Sequence, residues 1–271
     1  MELSGIGLAG CGRMGQPMLA ALRDAGFDAV GFDVRAPQSY GEFAAAMSDD
    51  VARFAAHLKI LISVVRDIEQ TEALLFDTQA LAAAAPGLRS IIICSTLSPR
   101  YLQTLKGRLP SHINLVDAPM SGASIAARER RLSFMMGGEE ADLTALRPLF
   151  EAMGTSFHTM GPFAAGMTAK VLNNLLAVSS TAMTRLVLDW ADELGLDEKS
   201  LLALIDKSSG RNWFASGFED IEFARDGHAP DNTIGILEKD ISSALDAAPR
   251  GADSALPNAV IEALRKLKPR L

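Results

Sequence analysis

The stretch "GIGLAGCGRMGQPM" at residues 5–18 decides the fold. Its apolar opening reads as a strand, and Gly10, Gly12 and Gly15 follow in G-x-G-x-x-G spacing, with Arg13 and Met14 between the last two, before a helical run begins. The first glycine permits a tight turn, the second lets a diphosphate approach the backbone, and the third lets helix and strand pack closely. Unpaired N–H groups at the helix start then face the phosphates. Taken alone, the spacing also suits a tight strand-to-helix turn with no ligand. A nucleotide P-loop does not fit, because Gly15 is followed by Gln16 and Pro17 where Lys and Ser or Thr are needed.

The next β-rich run, "AVGFDVR" at 29–35, places Asp33 18 residues after Gly15. A carboxylate at the end of the second strand accepts hydrogen bonds from ribose hydroxyls and repels a 2′-phosphate, which favours NAD over NADP. Arg35 stands two positions beyond it, past Val34, where it can swing toward a phosphate and leave NADP possible. Without the glycine loop, a solvated strand end would explain Asp33 equally well.

Outward from this start, β-rich runs continue at "KILISVV" (59–65), "RSIIICST" (89–96), "INLVDAP" (113–119), "LSFMMGG" (132–138) and "TSFHTMG" (155–161). Helical segments at 14–25, 67–76, 98–108 and 139–153 separate several of them, which predicts an α/β fold with a doubly wound parallel sheet of Rossmann type over residues 1–161. From Pro162 to Leu194 nothing breaks a helical period, and Gly195 then supplies a stop. Helical spacing recurs at 197–210, 212–227, 232–248 and 258–267 without a convincing strand, so residues 162–271 read as an all-α domain opened by a long interdomain helix.

The 271 residues carry 26 basic and 33 acidic side chains, a net charge of −7, which gives no general electrostatic case for nucleic acid or an anionic membrane. Two cysteines, Cys11 and Cys94, cannot build a disulfide framework and suit a reducing cytoplasm. The opening residues lack the basic and apolar parts of a signal peptide. The apolar segment 171–190 is interrupted by Asn173, Asn174, Ser179, Ser180, Arg185 and Asp189, so neither a membrane span nor a membrane partner is expected.

Chemistry needs a proton-transferring group. Lys170 and Asn174 lie four apart and so project from one face of the long helix, near its start. Most helical lysines are merely solvated, but Ala169, Val171, Leu172, Leu175 and Leu176 make an apolar surrounding expected to desolvate the ammonium and bring it toward a useful acid or base. Strand ends supply Ser95 and Thr96 in "CSTLSP", and Ser121, Gly122 and Ala123 in "MSGAS", whose hydroxyl and N–H groups suit a carboxylate; both are also ordinary strand-to-loop turns. His57, His112, His158 and His228 form no close pair, so no metal site is read, and there is no G-x-S-x-G elbow of a serine hydrolase.

Taken in order, "GLAGCGRMGQPM", "CSTLSP", "DAPMSGAS", "GPFAAGMTAKVLNN" and "EKDISSALDAA" resemble the signatures of the β-hydroxyacid dehydrogenases, the 3-hydroxyisobutyrate dehydrogenase family, over nearly the whole chain. The resemblance implies an active site in the cleft between the two domains and a homodimer or homotetramer. It makes Lys170 the catalytic acid/base, with Asn174 positioning the substrate hydroxyl or the lysine. Ser121 and Gly122, with Ala123 beside them, hold the carboxylate of a small 3-hydroxy acid. Thr96 lies against the nicotinamide ribose, Val65 joins the glycine loop, Asp33, Val34 and Arg35 in the cofactor set, and Lys239 and Asp240 close over the cofactor from the helical domain. Without the resemblance, that last pair reads as solvated helical charges.

Departures from the family pattern are also present. Ala123 replaces a second glycine, Arg130 and Arg131 precede Leu132, which predicts added positive charge beside the substrate loop, and Arg66 stands where proline is common. "IEQTEALLFD" resembles the branch that oxidises threonate-like sugar acids, while "SSGRNW" resembles the 3-hydroxyisobutyrate branch. Arg131, Arg211, Asn212 and Trp213 are candidate pocket residues, each equally readable as a surface or packing residue. Two alternatives to a hydroxyacid dehydrogenase are a catalytically silent dinucleotide-binding module and an imine reductase. The joint presence of Lys170, Asn174 and Ser121 counts against the first, and Lys170 against the second.

Overall fold

The computed structural model describes residues 3–270. The chain divides at Lys170 into two compact units, so the division falls inside the long helix, about two turns beyond the boundary expected at residue 161. The first turn of that helix is hydrogen-bonded into the first unit, where the Met167 N–H donates to Asp117.

The first unit holds one sheet. Its strands are β1 (Ile6–Ala9), β2 (Ala29–Phe32), β3 (Met47–Ser48), β4 (Ile60–Ser63), β5 (Ser90–Ile93), β6 (Asn114–Asp117), β7 (Met120–Ser121), β8 (Leu132–Gly137) and β9 (Gly154–Gly161). Their order is β3-β2-β1-β4-β5-β6-β8-β7, with β9 paired in parallel to β8. The strands from β3 to β6 run parallel, and β6 and β7 meet β8 antiparallel. Both faces are covered, and alternate side chains show it: Ile60, Ile62 and Ile92 enter one core with Met18, Leu19 and Leu22 of the helix Gly15–Asp24, while Leu61, Ile91 and Ile93 enter the other with Leu102 and Leu105 of the helix Pro99–Arg108. Each such buried aliphatic side chain contributes roughly 1.5–3 kcal/mol. The chain leaves β1 for β2 on one side and later returns to β4 on the other, so a topological switch point lies between β1 and β4, where open α/β sheets bind ligands.

The seven anticipated strand regions are present. Two-residue β3 and β7 carry no periodicity to read, and three helical segments were also not anticipated: a 3-10 stretch over Pro37–Ala46 and short helices Val51–Ala55 and Ala123–Arg128.

The second unit is all-α among its described residues, with the helix Ala165–Glu193 running into it and Glu198–Asp206, Trp213–Ser216, Thr233–Ala247 and Ala255–Arg265 following. The expectation of a helix through 212–227 fails after one turn, because Gly217 ends it and turns follow. Val178 and Ala182 enter one core with Ile234, Ile241 and Leu264, and Leu188 enters another with Phe214 and Phe218. Between them Arg185, 1% exposed, donates to the carbonyls of Ala224, Asp226 and Lys268. The long helix also has the length and mean hydropathy, 1.3 over its most apolar window, that a membrane span requires.

Candidate active site

The glycine loop is built as its spacing requires. Gly10 has φ +91°, and a Cβ there would lie 2.7 Å from the backbone at Val64 and Val65, so the loop after β1 presses against the chain leaving β4. A Cβ at Gly15 would overlap the Gly10 carbonyl, which shows how closely the helix start packs on the turn. Gly12 is different: a Cβ there would meet nothing within 4 Å. Its open side lies beside a helix start with no side-chain cap and no acidic residue in its first turn. That is the cradle a diphosphate fills, and the residues present therefore fit a bound dinucleotide. Arg13 is exposed beside it, and Met14 packs against the core below.

Asp33 follows β2, but Arg35 does not reach outward as anticipated. Its Nε lies 3.2 Å from Asp33 Oδ1, its Nη2 3.2 Å from Oδ2, and the same Nη2 donates to the Cys11 carbonyl at 3.0 Å. The guanidinium stands 4.9 Å over the Tyr40 ring, which is buried. Arg35 thus ties the end of β2 to the glycine loop. Burial alone would push the Asp33 carboxyl up, yet the hydrogen bonds from Arg35 hold it below the ordinary carboxylate range. Oδ1 also accepts the Arg35 backbone N–H at 3.2 Å, while Oδ2, with one donor from Arg35, keeps a second lone pair for a ribose hydroxyl. Tyr40 was not singled out in the sequence, since nothing in its local context marks it. Val34 is exposed beside this cluster.

Val65 and Thr96 lie just past the ends of β4 and β5, on the carboxyl side of the sheet with the glycine loop. Ser121 belongs to β7, opposite Ser133. Gly122 has φ +134° and Ala123 φ +50°, so the alanine in place of the family's glycine occupies left-handed backbone and opens the helix Ala123–Arg128. The added positive charge expected beside this loop is not there in free form. Arg130 pairs with Asp24 at the far end of the helix Gly15–Asp24, and Arg131 pairs with Glu129. Arg66 pairs with Asp67, the residue that caps the helix Ile68–Leu75.

In the long helix Lys170 and Asn174 are both 8% exposed. Asn174 Nδ2 donates to Asp240 Oδ2 at 2.7 Å, and Lys239 Nζ lies 3.8 Å from the other oxygen of Asp240. Asp240 thus holds the Asn174 amide. Among the other candidate pocket residues, Asn212 caps the helix Trp213–Ser216, Trp213 Nε1 donates to the Ala177 carbonyl at 2.9 Å, and Arg211 approaches Asp206 at 3.5 Å. Among the described residues no three His, Cys, Asp or Glu side chains group to hold a metal.

A glycine cradle at the switch point, an acidic residue ending β2 and a buried lysine on the helix that follows define a nicotinamide-dependent oxidoreductase. Comparison with known proteins gives the same class. Residues 5–161 match the NAD-binding domain of 6-phosphogluconate dehydrogenase, and residues 164–267 match the NAD-binding domain of NADP-dependent 3-hydroxyisobutyrate dehydrogenase. An NAD-dependent L-serine dehydrogenase of Pseudomonas aeruginosa is 32% identical over 92% of this chain and 87% of its own length. A 3-hydroxyisobutyrate dehydrogenase of the same organism is 30% identical over 90% of this chain and 85% of its own. The solved 3-hydroxyisobutyrate dehydrogenase of Mycobacterium tuberculosis with L-serine superposes with TM-score 0.79 and 26% identity, covering 99% of this chain and 97% of that one. The chain belongs to the 3-hydroxyisobutyrate dehydrogenase family, and it is an NAD(P)-dependent hydroxyacid dehydrogenase.

Proposed function

We propose that this dehydrogenase oxidises a small 3-hydroxy carboxylic acid to the 3-oxo acid or semialdehyde, or runs the reverse reduction, with Lys170 as acid/base. The observation that carries the reading is the buried Lys170 one helical turn from an Asn174 whose amide is fixed by Asp240. In oxidation the unprotonated Nζ of Lys170 takes the hydroxyl proton as the C–H bond breaks. The bound nicotinamide supplies the hydride acceptor. Asn174, its Nδ2 engaged, offers Oδ1 to orient the substrate hydroxyl or the lysine. Ser121 with the N–H groups of Gly122 and Ala123 receives the substrate carboxylate. Gly10, Gly12, Arg13, Met14 and Gly15 cradle the diphosphate, and Asp33, with Val34 and Arg35 beside it, selects NAD. Val65 and Thr96 line the nicotinamide half, and Lys239 is a further candidate for the cofactor.

Self-association into a homodimer or homotetramer forms part of the same proposal, supported by an exposed apolar stripe of Leu172, Leu176, Met183, Leu186 and Trp190 on the long helix. The free, buried cysteines support a cytoplasmic location, and the negative net charge supports a protein with neither nucleic acid nor membrane as partner. The test is reduction of NAD and NADP, followed by absorbance, with 3-hydroxyisobutyrate, L-serine, 3-hydroxypropionate, 4-hydroxybutyrate and threonate. Turnover with a 3-hydroxy acid and NAD is expected; turnover with threonate alone, or binding of NAD with no turnover on any of them, would contradict the reading.

A further inference from the structure

Asp117, the last residue of β6, is fully buried and has no cationic partner among its hydrogen bonds. Its Oδ1 accepts the Ala164 N–H at 2.6 Å, and its Oδ2 accepts the Met167 N–H. Those donors belong to the start of the helix Ala165–Glu193, where N–H groups have no intrahelical acceptor and the helix dipole favours a negative charge. An ordinary cap comes from the residue next to the helix. Here it comes from a strand 47 and 50 positions earlier in the chain.

Three further features show that the helix start is seated on this carboxylate. Ala164 has φ +77°, a left-handed conformation that an alanine keeps only when its surroundings enforce it, and its N–H is one of the two aimed at Asp117. Gly137 and Gly166 bring β8 and the helix into contact around the carboxylate. A Cβ on Gly137 would overlap Asp117 Oδ1, and one on Gly166 would overlap the Met135 carbonyl and stand 2.9 Å from Asp117 Oδ2. Leu97, beyond β5, donates its N–H to the Met167 sulfur at 3.4 Å. Lys170 follows Met167 by three residues, and Ser121 follows Asp117 by four.

We infer that Asp117 is a positioning residue for the reaction, fixing the helix that carries Lys170 against the strand that leads to the carboxylate-binding loop at Ser121. The inference rests on Lys170 being the acid/base. A buried carboxylate is costly unless its hydrogen bonds are satisfied. Asp117 meets that cost with two main-chain donors, and both set the place of the catalytic helix.

Asp117→Asn tests this. Its amide oxygen still accepts one N–H, while the amide NH2 faces the second donor and pushes it away. The expected result, measured beside Lys170→Ala, is a kcat at least tenfold lower. The KM for the hydroxy acid, the Kd for NAD and the number of NAD sites per chain should all stay within about threefold of the parent. Gly166→Ala, which keeps the carboxylate but forces the helix start off β8, should give the same split, and it carries the test if Asp117→Asn does not fold. An unchanged kcat in these variants while Lys170→Ala is inactive would overturn the inference and leave the role of Lys170 standing. A kcat loss that merely follows the number of NAD sites would also overturn it, since Asp117 would then support the fold alone. Full turnover by Lys170→Ala would overturn the proposed function, and the inference with it.

Discussion

Asn174 gives its Nδ2 hydrogen to Asp240 Oδ2 at 2.7 Å, within the helical unit, and both side chains are buried. The bond fixes how the amide faces, with Oδ1 left as an acceptor and Nδ2 keeping one further hydrogen to give. Asp240→Asn removes the charge and allows the amide to turn over. A hydrogen bond to a charged group contributes about 1.5–3 kcal/mol, so kcat/KM for the hydroxy acid is expected to fall roughly 10- to 100-fold. A value within twofold of the parent would show that the pair has no part in turnover.

The Arg35 guanidinium lies across Asp33 and does not point outward to an incoming 2′-phosphate. NAD is therefore expected to be the better cofactor, with kcat/KM at least tenfold above that for NADP. Asp33→Asn should narrow the ratio, because it removes the negative charge that repels the phosphate. Equal or better use of NADP by the parent would contradict this arrangement.

The same cluster carries a pH dependence. Asp33 is held low in the folded chain by Arg35, against the upward push of its burial, so the folded state binds its proton less readily than the unfolded state does. Its stabilising contribution is present above the ordinary aspartate value, about 3.9, and is lost as pH falls through the depressed value. Thermal melts from pH 6 downward should show the gap between Arg35→Ala and the parent narrowing once the pH falls below the ordinary aspartate value. A constant gap would mean the pair is not coupled to protonation.

Ala123 occupies φ +50°, where an L-residue is strained by about 1–2 kcal/mol and glycine is not. Ala123→Gly should leave the melting temperature unchanged or raise it by a few degrees, although Ala→Gly at an ordinary helical position costs about 1 kcal/mol. Ala152→Gly, inside the helix Glu140–Met153, supplies that reference. Equal losses in the two variants would contradict the strain at Ala123.

Both thiols are buried. Burial, with the Asp33 charge nearby, pushes Cys11 up to about 12, and burial with Asp117 nearby raises Cys94 as well. Since the thiolate is the reactive form, a disulfide reagent at pH 8 should find no fast-reacting thiol in the native protein and two after unfolding in guanidinium. A thiol that reacts at once in the native state would show that the glycine loop opens freely around Cys11.

How far the sequence alone carries depends on how local each device is. Gly10, Gly12 and Gly15 declare themselves because a tight turn, an open cradle and a close helix contact each demand a missing side chain within six residues. The long helix was legible because nothing between Pro162 and Leu194 interrupts its period. Asp117 stands inside "INLVDAP" and "DAPMSGAS" with nothing local to mark its task, since its partners Ala164 and Met167 lie at the start of a helix that follows three more strands. The sequence alone leaves Arg35 able to swing outward, because its seat over Tyr40 lies beside the turn at Gly41, with φ +57°, inside the stretch Pro37–Ala46. Residues 212–227 have helical spacing, but side chains such as Phe214 and Phe218 settle in a shared core through turns instead.

The most direct test of the central claim is turnover by Lys170→Ala with NAD and the best 3-hydroxy acid substrate, with NAD affinity measured on the same preparation. If Lys170 moves the proton, NAD binds within a few-fold of the parent while kcat drops by about 100-fold or more, in line with general acid/base catalysis worth 10²–10⁴. A variant that binds NAD normally and keeps kcat within tenfold would remove Lys170 from the chemistry.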